Sequence, residues 1–302
     1  MSVRKTQLRV FVTSVVFLAS GLLAAACSST GTGTSTSSAA PSKAVSSIAA
    51  QVPASIRANG TLTVAADATY APNEYIASDG HTVVGMDADL AKALGQVMGL
   101  KVNVVNATFN TIIPGIVSGK YDLGMSSFTD TKARQQTVDF VTYFVAGTSF
   151  YVKSSGGPNI TSLADLCGHK VAVEKGTTQQ ADAQAQAGKC KSAGKAAVSL
   201  EIFNDQNAVN LALSSGRADV AMADSPVAAY QVKQSGGTFK LSGQPYGDAP
   251  YGIAMPKNNG MAKPVQAALK ALIANGTYKS ILDKWGVQTG AITNPVINGA
   301  TS

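Results

Sequence analysis

Ser118-Gly119-Lys120-Tyr121-Asp122-Leu123-Gly124-Met125 and Ser215-Gly216-Arg217-Ala218-Asp219-Val220-Ala221-Met222 follow one rule: serine, glycine, basic, any, aspartate, aliphatic, small, methionine. In each, the glycine is free to take the left-handed conformation that stops a helix, and the apolar residues after it suit a short buried strand. The echo constrains the chain to two similar halves, and the flanks agree. In the first half Leu62–Ala65 reads as a strand, and Asp87–Met98 as a helix with Leu90, Leu94, Val97 and Met98 on one face. Val102–Val105 reads as a strand, Thr111–Ser118 as a helix, and Tyr121–Met125 as a strand. The second half repeats the scheme with strand Lys170–Val173, a helix after Thr177, strand Val198–Phe203, helix Ala208–Leu213 and strand Ala218–Met222.

Strands alternating with helices predict the α/β class with parallel sheets. The expected architecture is two doubly wound lobes with a two-strand hinge, the chain crossing near Ala146–Val152 and Pro250–Pro256. A short strand at Tyr251–Met255 and helices carrying Val265, Leu269, Leu272, Ile273 and then Tyr278, Ile281, Leu282 and Trp285 are expected to return to the first lobe. Strand C-termini and helix N-termini of both lobes would face one crevice, where a small ligand belongs.

The 302-residue chain is 45% hydrophobic, enough for a packed core across two modest domains. Three of its 24 Lys and Arg precede Cys27, leaving 21 basic residues against 17 acidic ones. That excess is mild and unclustered, so nucleic acid is excluded as an expected partner. Arg4, Lys5 and Arg9 form a basic head, and residues 10–26 are uncharged and end in small residues. This reads as a signal peptide over 1–26. Its ending, Leu22-Leu23-Ala24-Ala25-Ala26-Cys27, resembles the lipobox of bacterial lipoproteins, which implies a lipid anchor on Cys27 at the outer face of the cell membrane. From Ser28 to Ser47, 12 of 20 residues are Ser or Thr, a composition that cannot bury enough to fold, so 27–51 reads as a tether. Lobe 1 is then expected over 52–147, lobe 2 over 148–250, the return to lobe 1 over 251–290, and a frayed tail over 291–302.

Cys167 and Cys190 remain, and outside the cytoplasm a leftover pair is most simply a disulfide. A metal site would need more ligands than these and the two histidines, His81 and His169, provide. No metal or cofactor is expected.

Gly85-Met86-Asp87-Ala88-Asp89-Leu90, followed by a helix, is similar to the signature of the bacterial extracellular solute-binding proteins of family 3, the polar amino-acid receptors of ABC importers. The likeness runs from about Gly60 to Gly286. Asp67-Ala68-Thr69-Tyr70-Ala71-Pro72 resembles the family's first binding loop, and Ser126-Ser127-Phe128-Thr129-Asp130-Thr131-Lys132-Ala133-Arg134 its head-group segment. Gly176-Thr177-Thr178-Gln179 and Ala223-Asp224-Ser225 resemble the second lobe's contributions. The resemblance implies a periplasmic-binding-protein fold, an amino-acid ligand, a membrane permease as partner and a monomer with no catalytic activity.

Residue by residue, it implies that Arg134 grips the α-carboxylate with its planar fork, helped by Thr177 and Thr178 at a helix start. Asp224 would pair with the α-ammonium, and Ser126, Ser127 and Thr129 would complete the cage. Tyr70 and Phe109 would sandwich the side chain, with Asp67 and Glu174 setting selectivity. Two carboxylates point to a basic amino acid, with glutamine-like polar ligands as the alternative. A second alternative is a dehydratase-type enzyme, since the fold also resembles a periplasmic dehydratase acting on prephenate or arogenate. The individual residues also admit plain structural readings: Arg134 solvated near Asp130 or Asp139, Asp224 capping the helix after it, and Asp87 and Asp89 at a helix start satisfying free N–H groups.

Overall fold

A computed structural model describes residues 44–300. The signal peptide, Cys27 and most of the tether lie outside the described residues. Packing begins at Val45, whose N–H donates to the Val97 carbonyl, and helix α1 (Ser46–Ala49) buries Ile48. The folded part thus starts earlier than the Ser/Thr content implied, because Val45 and Ile48 lie one helical turn apart and share a face.

After α2 (Ala54–Asn59), the first lobe runs through β1 (Thr61–Ala66), β2 (Thr69–Tyr70), β3 (Glu74–Ile76), β4 (Val83–Val84), α3 (Met86–Met98), β5 (Lys101–Asn106), α4 (Phe109–Val117), β6 (Leu123–Gly124) and α5 (Lys132–Gln135). The long strand β7 (Val138–Lys153) leads to the second lobe: β8 (Lys170–Glu174), α6 (Thr178–Ser192), β9 (Ser199–Phe203), α7 (Gln206–Ser215), β10 (Val220–Asp224) and α8 (Ser225–Gln234). A second long strand, β11 (Phe239–Pro256), returns to α9 (Ala262–Ala274) and α10 (Thr277–Trp285).

Strand order is β5-β1-β6-β11-β7-β10-β8-β9, with β2-β3-β4 as a small separate sheet. β5-β1-β6 and β10-β8-β9 are parallel, and the central pair β7 and β11 is antiparallel. The first stretch of β7, Val138–Ala146, pairs with Ala249–Pro256, and its second, Thr148–Lys153, pairs with β10 and with Phe239–Tyr246. Register shifts between Ser242 and Tyr246, and between Tyr246 and Ala249, mark where β11 changes lobes. Gly147 sits at that crossing, where a Cβ would lie 2.7 Å from the Tyr246 carbonyl oxygen, so only glycine lets the strands pass.

The sequence pattern located most elements and understated the two long strands. β11 was expected as Tyr251–Met255 alone, because Gly243, Pro245, Gly247 and Pro250 interrupt its alternation; bulges absorb these residues. Residues 291–300 are not frayed. Thr142 and Val296 exchange bonds at 2.8 and 2.9 Å, and Asn298 caps Phe140, so the segment straps the outer edge of β7. Gly119 and Gly216 take φ of 76° and 79° at the ends of their helices, the same stop in each half. A disulfide joins Cys167 to Cys190 on α6, with Cα atoms 5.7 Å apart.

Candidate functional site

Eight of the residues singled out from sequence line one cavity between the lobes: Tyr70, Phe109, Ser127, Thr129 and Arg134 from the first, and Thr177, Thr178 and Asp224 from the second. Gln179, Gln206, Ala223 and Val227 complete the lining.

Arg134 lies on α5, whose N-cap Thr131 accepts from the Arg134 N–H. Its guanidinium rests 5.4 Å from the Phe109 ring centre and 5.3 Å from that of Phe128. Nη1 donates to the Thr129 carbonyl at 2.8 Å, and Nη2 donates to the Gly176 carbonyl at 3.0 Å. The second bond crosses from one lobe to the other. Neither Asp130 nor Asp139 holds this arginine by a hydrogen bond; Asp130 accepts from Gln135 and Asp139 from Asn258 and Asn298. Two of the five guanidinium donors are used on carbonyls, leaving three for an anionic guest.

Asp224 is the N-cap residue of α8 by position only, for its side chain makes no cap bond. Instead Oδ1 accepts from Gln179 Nε2 and Oδ2 from Tyr251 OH, both at 2.7 Å. Burial pushes this carboxyl up to about 6, against the pull of Tyr251, Gln179 and the Arg134 charge. A cation beside it would restore the ionised form. Thr177 caps α6, accepting from Gln180 N and donating to the Glu174 carbonyl, so the Thr178 N–H opens that helix at the cavity wall.

Ser127 is held in an uncommon conformation, φ 53°, by groups that the motif reading did not assign to the site. Its N–H donates to Asp87 Oδ2 at 3.0 Å, Tyr143 OH donates to the same oxygen, and Asn73 Nδ2 donates to Ser127 Oγ. Asp87 therefore braces the site rather than satisfying its own helix start. Burial pushes the Asp87 carboxyl up to about 6 and the adjacent Glu74 well above the usual carboxylate range, with the Asp87 charge adding to the rise of Glu74. Asp89 instead accepts from Lys284 and from Trp285 Nε1, tying α10 to α3. Tyr143 and Tyr251, on the hinge strands, carry no sequence motif that would have marked them.

The two aromatic rings expected to form a sandwich meet each other directly. Tyr70 and Phe109 are 5.7 Å apart and tilted by 60°, while Phe109 stacks on Phe128 at 4.5 Å. Inserting a side chain between Tyr70 and Phe109 requires the Tyr70 ring to swing aside.

Ser126, Asp67 and Glu174 stand behind the lining. Ser126 Oγ accepts from the Asp67 N–H. Asp67 accepts from Thr69 Oγ1 at 2.7 Å and from the Phe109 N–H at 2.8 Å. Glu174 is 1% exposed, and neither carboxyl oxygen has a hydrogen-bond partner; the nearby Tyr70 hydroxyl has none either. Burial first, and the Asp67 charge second, push Glu174 up to about 10. Among the described residues no group of His, Cys, Asp and Glu could hold a metal, and no helix is long and apolar enough to cross a membrane.

Residues 62–288 match the family described as bacterial extracellular solute-binding proteins, family 3. The chain is 31% identical over 255 residues to the arginine-binding protein ArgT of Corynebacterium glutamicum, covering 84% of this chain and 83% of that one. Among solved structures it resembles an ancestral arginine-binding protein bound to arginine, at 37% identity and TM-score 0.70, covering 75% of this chain and 98% of the other. It is also similar to the ancestral amino acid-binding protein AncCDT-1, a precursor of cyclohexadienyl dehydratase, at 35% identity and TM-score 0.69, over 76% and 97% of the two chains.

Proposed function

The chain belongs to the bacterial extracellular solute-binding proteins of family 3, and on that footing we propose that it captures a polar amino acid, a basic one by preference, and delivers it to an ABC permease. The observation that carries this reading is the pairing, in one cavity, of an arginine from one lobe with an aspartate from the other. A zwitterion carries a carboxylate and an ammonium on one carbon, and Arg134 and Asp224 offer one partner to each. Thr178 N–H and the α6 N-terminus add to the carboxylate's side. Ser127 and Thr129 complete the cage from the first lobe.

Each lobe alone leaves half of the ligand's charge unpaired, so closure is favoured only when both engage. The permease then reads the closed shape as loaded. The domain limits in this reading are lobe 1 over 45–147 and 251–300, its ends extended by the segments packed on α3 and β7, and lobe 2 over 148–250. A lipid on Cys27 and a tether hold a monomer outside the cell.

Catalysis is not part of the proposal. The cavity lining offers one carboxyl, that of Asp224, and one guanidinium but no histidine, and the likeness to AncCDT-1 is to a protein described as amino acid-binding. The test is calorimetric titration with a panel of L-amino acids and prephenate. Wild-type protein should bind one or more amino acids without turnover, and Arg134→Ala should lose every one by about 100-fold or more, the scale of a desolvated charge pair. Unchanged affinity in Arg134→Ala refutes the head-group assignment.

A further inference from the structure

Arg134 sits on a helix too short to hold itself. α5 has four residues, and a single turn fixes several dihedral angles for one hydrogen bond, so it needs outside support. The segment before it is tied to the hinge strand β11. There the Gly252 N–H donates to the Phe128 carbonyl and the Asp130 N–H to the Pro250 carbonyl, both at 2.8 Å. Past Thr131 the main-chain bonds turn local, with the N–H groups of Gln135, Gln136 and Thr137 donating to the carbonyls of Thr131, Ala133 and Arg134. Side chains must therefore fix α5 against its lobe.

Those side chains lead to the C-terminal strap. At the end of α5 the Lys257 ammonium donates to the Gln135 carbonyl at 2.7 Å and to the Gln136 carbonyl at 3.3 Å. The next residue, Asn258, donates its N–H to Asp139 Oδ2 at 2.7 Å. The other oxygen, Asp139 Oδ1, accepts from Asn298 Nδ2 at 3.1 Å. Asn298 is itself fixed on β7, its N–H donating to the Phe140 carbonyl at 2.9 Å and its Oδ1 accepting from the Phe140 N–H at 2.8 Å. Its φ of 52° is a conformation that asparagine adopts more readily than most residues. The strap also reaches the start of α5. Asp130 Oδ1 accepts from Gln135 Nε2 at 2.7 Å. Burial pushes the Asp130 carboxyl up, and Gln135 and the backbone N–H groups of Gly299 and Ala300 act against that rise. Residues 291–300 lie past residue 288, where the family match ends, so the likeness gives them no part in the site.

We propose that Asn298 is a positioning residue for Arg134: through Asp139 and the Lys257–Asn258 turn, the C-terminal strap holds α5 so that the guanidinium meets a ligand carboxylate. The inference rests on the reading of Arg134 as the carboxylate's partner and adds what keeps it in place. The chain of contacts runs from Asn298 to Asp139, to the Asn258 N–H, and from Lys257 to the last carbonyls of α5. A loosened α5 lets the guanidinium wander, and a two-bond grip on a carboxylate tolerates little misplacement. The grip is common to all α-amino acids, so the strap acts on every ligand alike and leaves the choice of side chain untouched.

Asn298→Asp keeps the acceptor for the Phe140 N–H and the tolerance of positive φ, and sets two carboxyls together where an amide met one. In calorimetry with L-arginine, L-lysine and L-glutamine, each ligand that the wild type binds should weaken by the same factor, about tenfold, the scale of one hydrogen bond to a charged group. Combining Asp139→Asn with Asn298→Asp swaps donor and acceptor between the two positions and should restore affinity to within about threefold of the wild type. Lys257→Met keeps the apolar stem, loses the ammonium, and should weaken all ligands by about threefold, since water partly replaces an exposed donor. Urea unfolding of the unliganded variants separates positioning from plain stabilisation of lobe one. A lowered midpoint with unchanged affinity in Asn298→Asp overturns the proposal, as does a double variant that binds no better than the single one. If Asn298→Asp does not fold, Lys257→Met decides: uniform weakening supports the clamp, and wild-type affinity overturns it. A wild-type protein that binds no amino acid, or Arg134→Ala binding as the wild type does, refutes the underlying head-group reading instead.

Discussion

Lobe one and lobe two run the same local programme up to the tips of their central strands, then part company. β1 and β8 each follow a helix or turn, and each has its early N–H tied to the aspartate of the repeated segment; an acid, Asp67, directly follows β1, and an acid, Glu174, ends β8. In lobe one that acid is absorbed by the scaffold, with Thr69 and the Phe109 N–H on its two oxygens. In lobe two the helix that could have used it brings Asp205 instead, and Glu174 is left over. A residue freed from structural duty at a strand's C-terminal end is available to a ligand. The comparison teaches that equivalent positions need not carry equivalent roles, and that the neighbouring cap decides which does.

The largest test of the asymmetry concerns a staple that only lobe two possesses. Cys167 and Cys190 close a loop with a sequence separation of 23. Replacing both with serine should cost about 3 kcal/mol by the chain-entropy account, read as a drop in denaturant midpoint. Because the loop lies wholly in lobe two, an Arg134-dependent arginine affinity measured well below the transition should survive. A loss of stability below about 0.5 kcal/mol would mean that lobe two does not need its extra closure.

Next in size is the direct contrast between the two acids. Asp67→Ala removes the acceptor for Phe109 N–H and Thr69 Oγ1 and should cost roughly 1–2 kcal/mol, as lost helix caps do. Glu174→Ala removes no hydrogen bond, and beyond the small loss of side-chain packing it should cost far less at neutral pH. Equal losses, measured by urea unfolding of unliganded protein, would break the distinction between scaffold acid and free acid.

How far the residues announced this arrangement depends on what each signal encodes. Helix and strand periodicity is a one-dimensional property, so β1, α3, β5, α6 and α9 were legible within a few residues. The long hinge strands were only partly so, since prolines and glycines at bulges erase alternation without ending the strand. Motif order singled out Arg134, Tyr70 and Asp224 as candidates, and the fold brings all three to the lining of one cavity. Asp87 was misassigned because acids at a helix start usually serve the helix, and only the fold brings the Ser127 N–H and Tyr143 OH to it. Gln179 lay inside a quoted motif without a role and Tyr251 was read only as the start of a strand: both hold Asp224, a contact between distant segments. The freedom of Glu174 could not be read locally either, because it depends on Asp205 capping another helix.

The smallest expected effect sharpens the equivalence on which the contrast depends. If Asp122 and Asp219 do the same work, alanine at each should release one strand N–H and destabilise in the same direction. Their settings differ, however. The Thr63 N–H to Asp122 bond is 2.7 Å and partly buried, whereas the Lys170 N–H to Asp219 bond is 2.9 Å and exposed. Water can replace an exposed acceptor at little cost, while a half-buried N–H left without one loses more. Asp122→Ala should therefore cost about 1 kcal/mol and Asp219→Ala less than about 0.5 kcal/mol, and the double variant should show their simple sum, since the sites share no partner. A larger loss at Asp219 would mean that the second copy of the segment supports something beyond its own strand. His169, with Nδ1 3.9 Å from Asp219, is the neighbour to vary next.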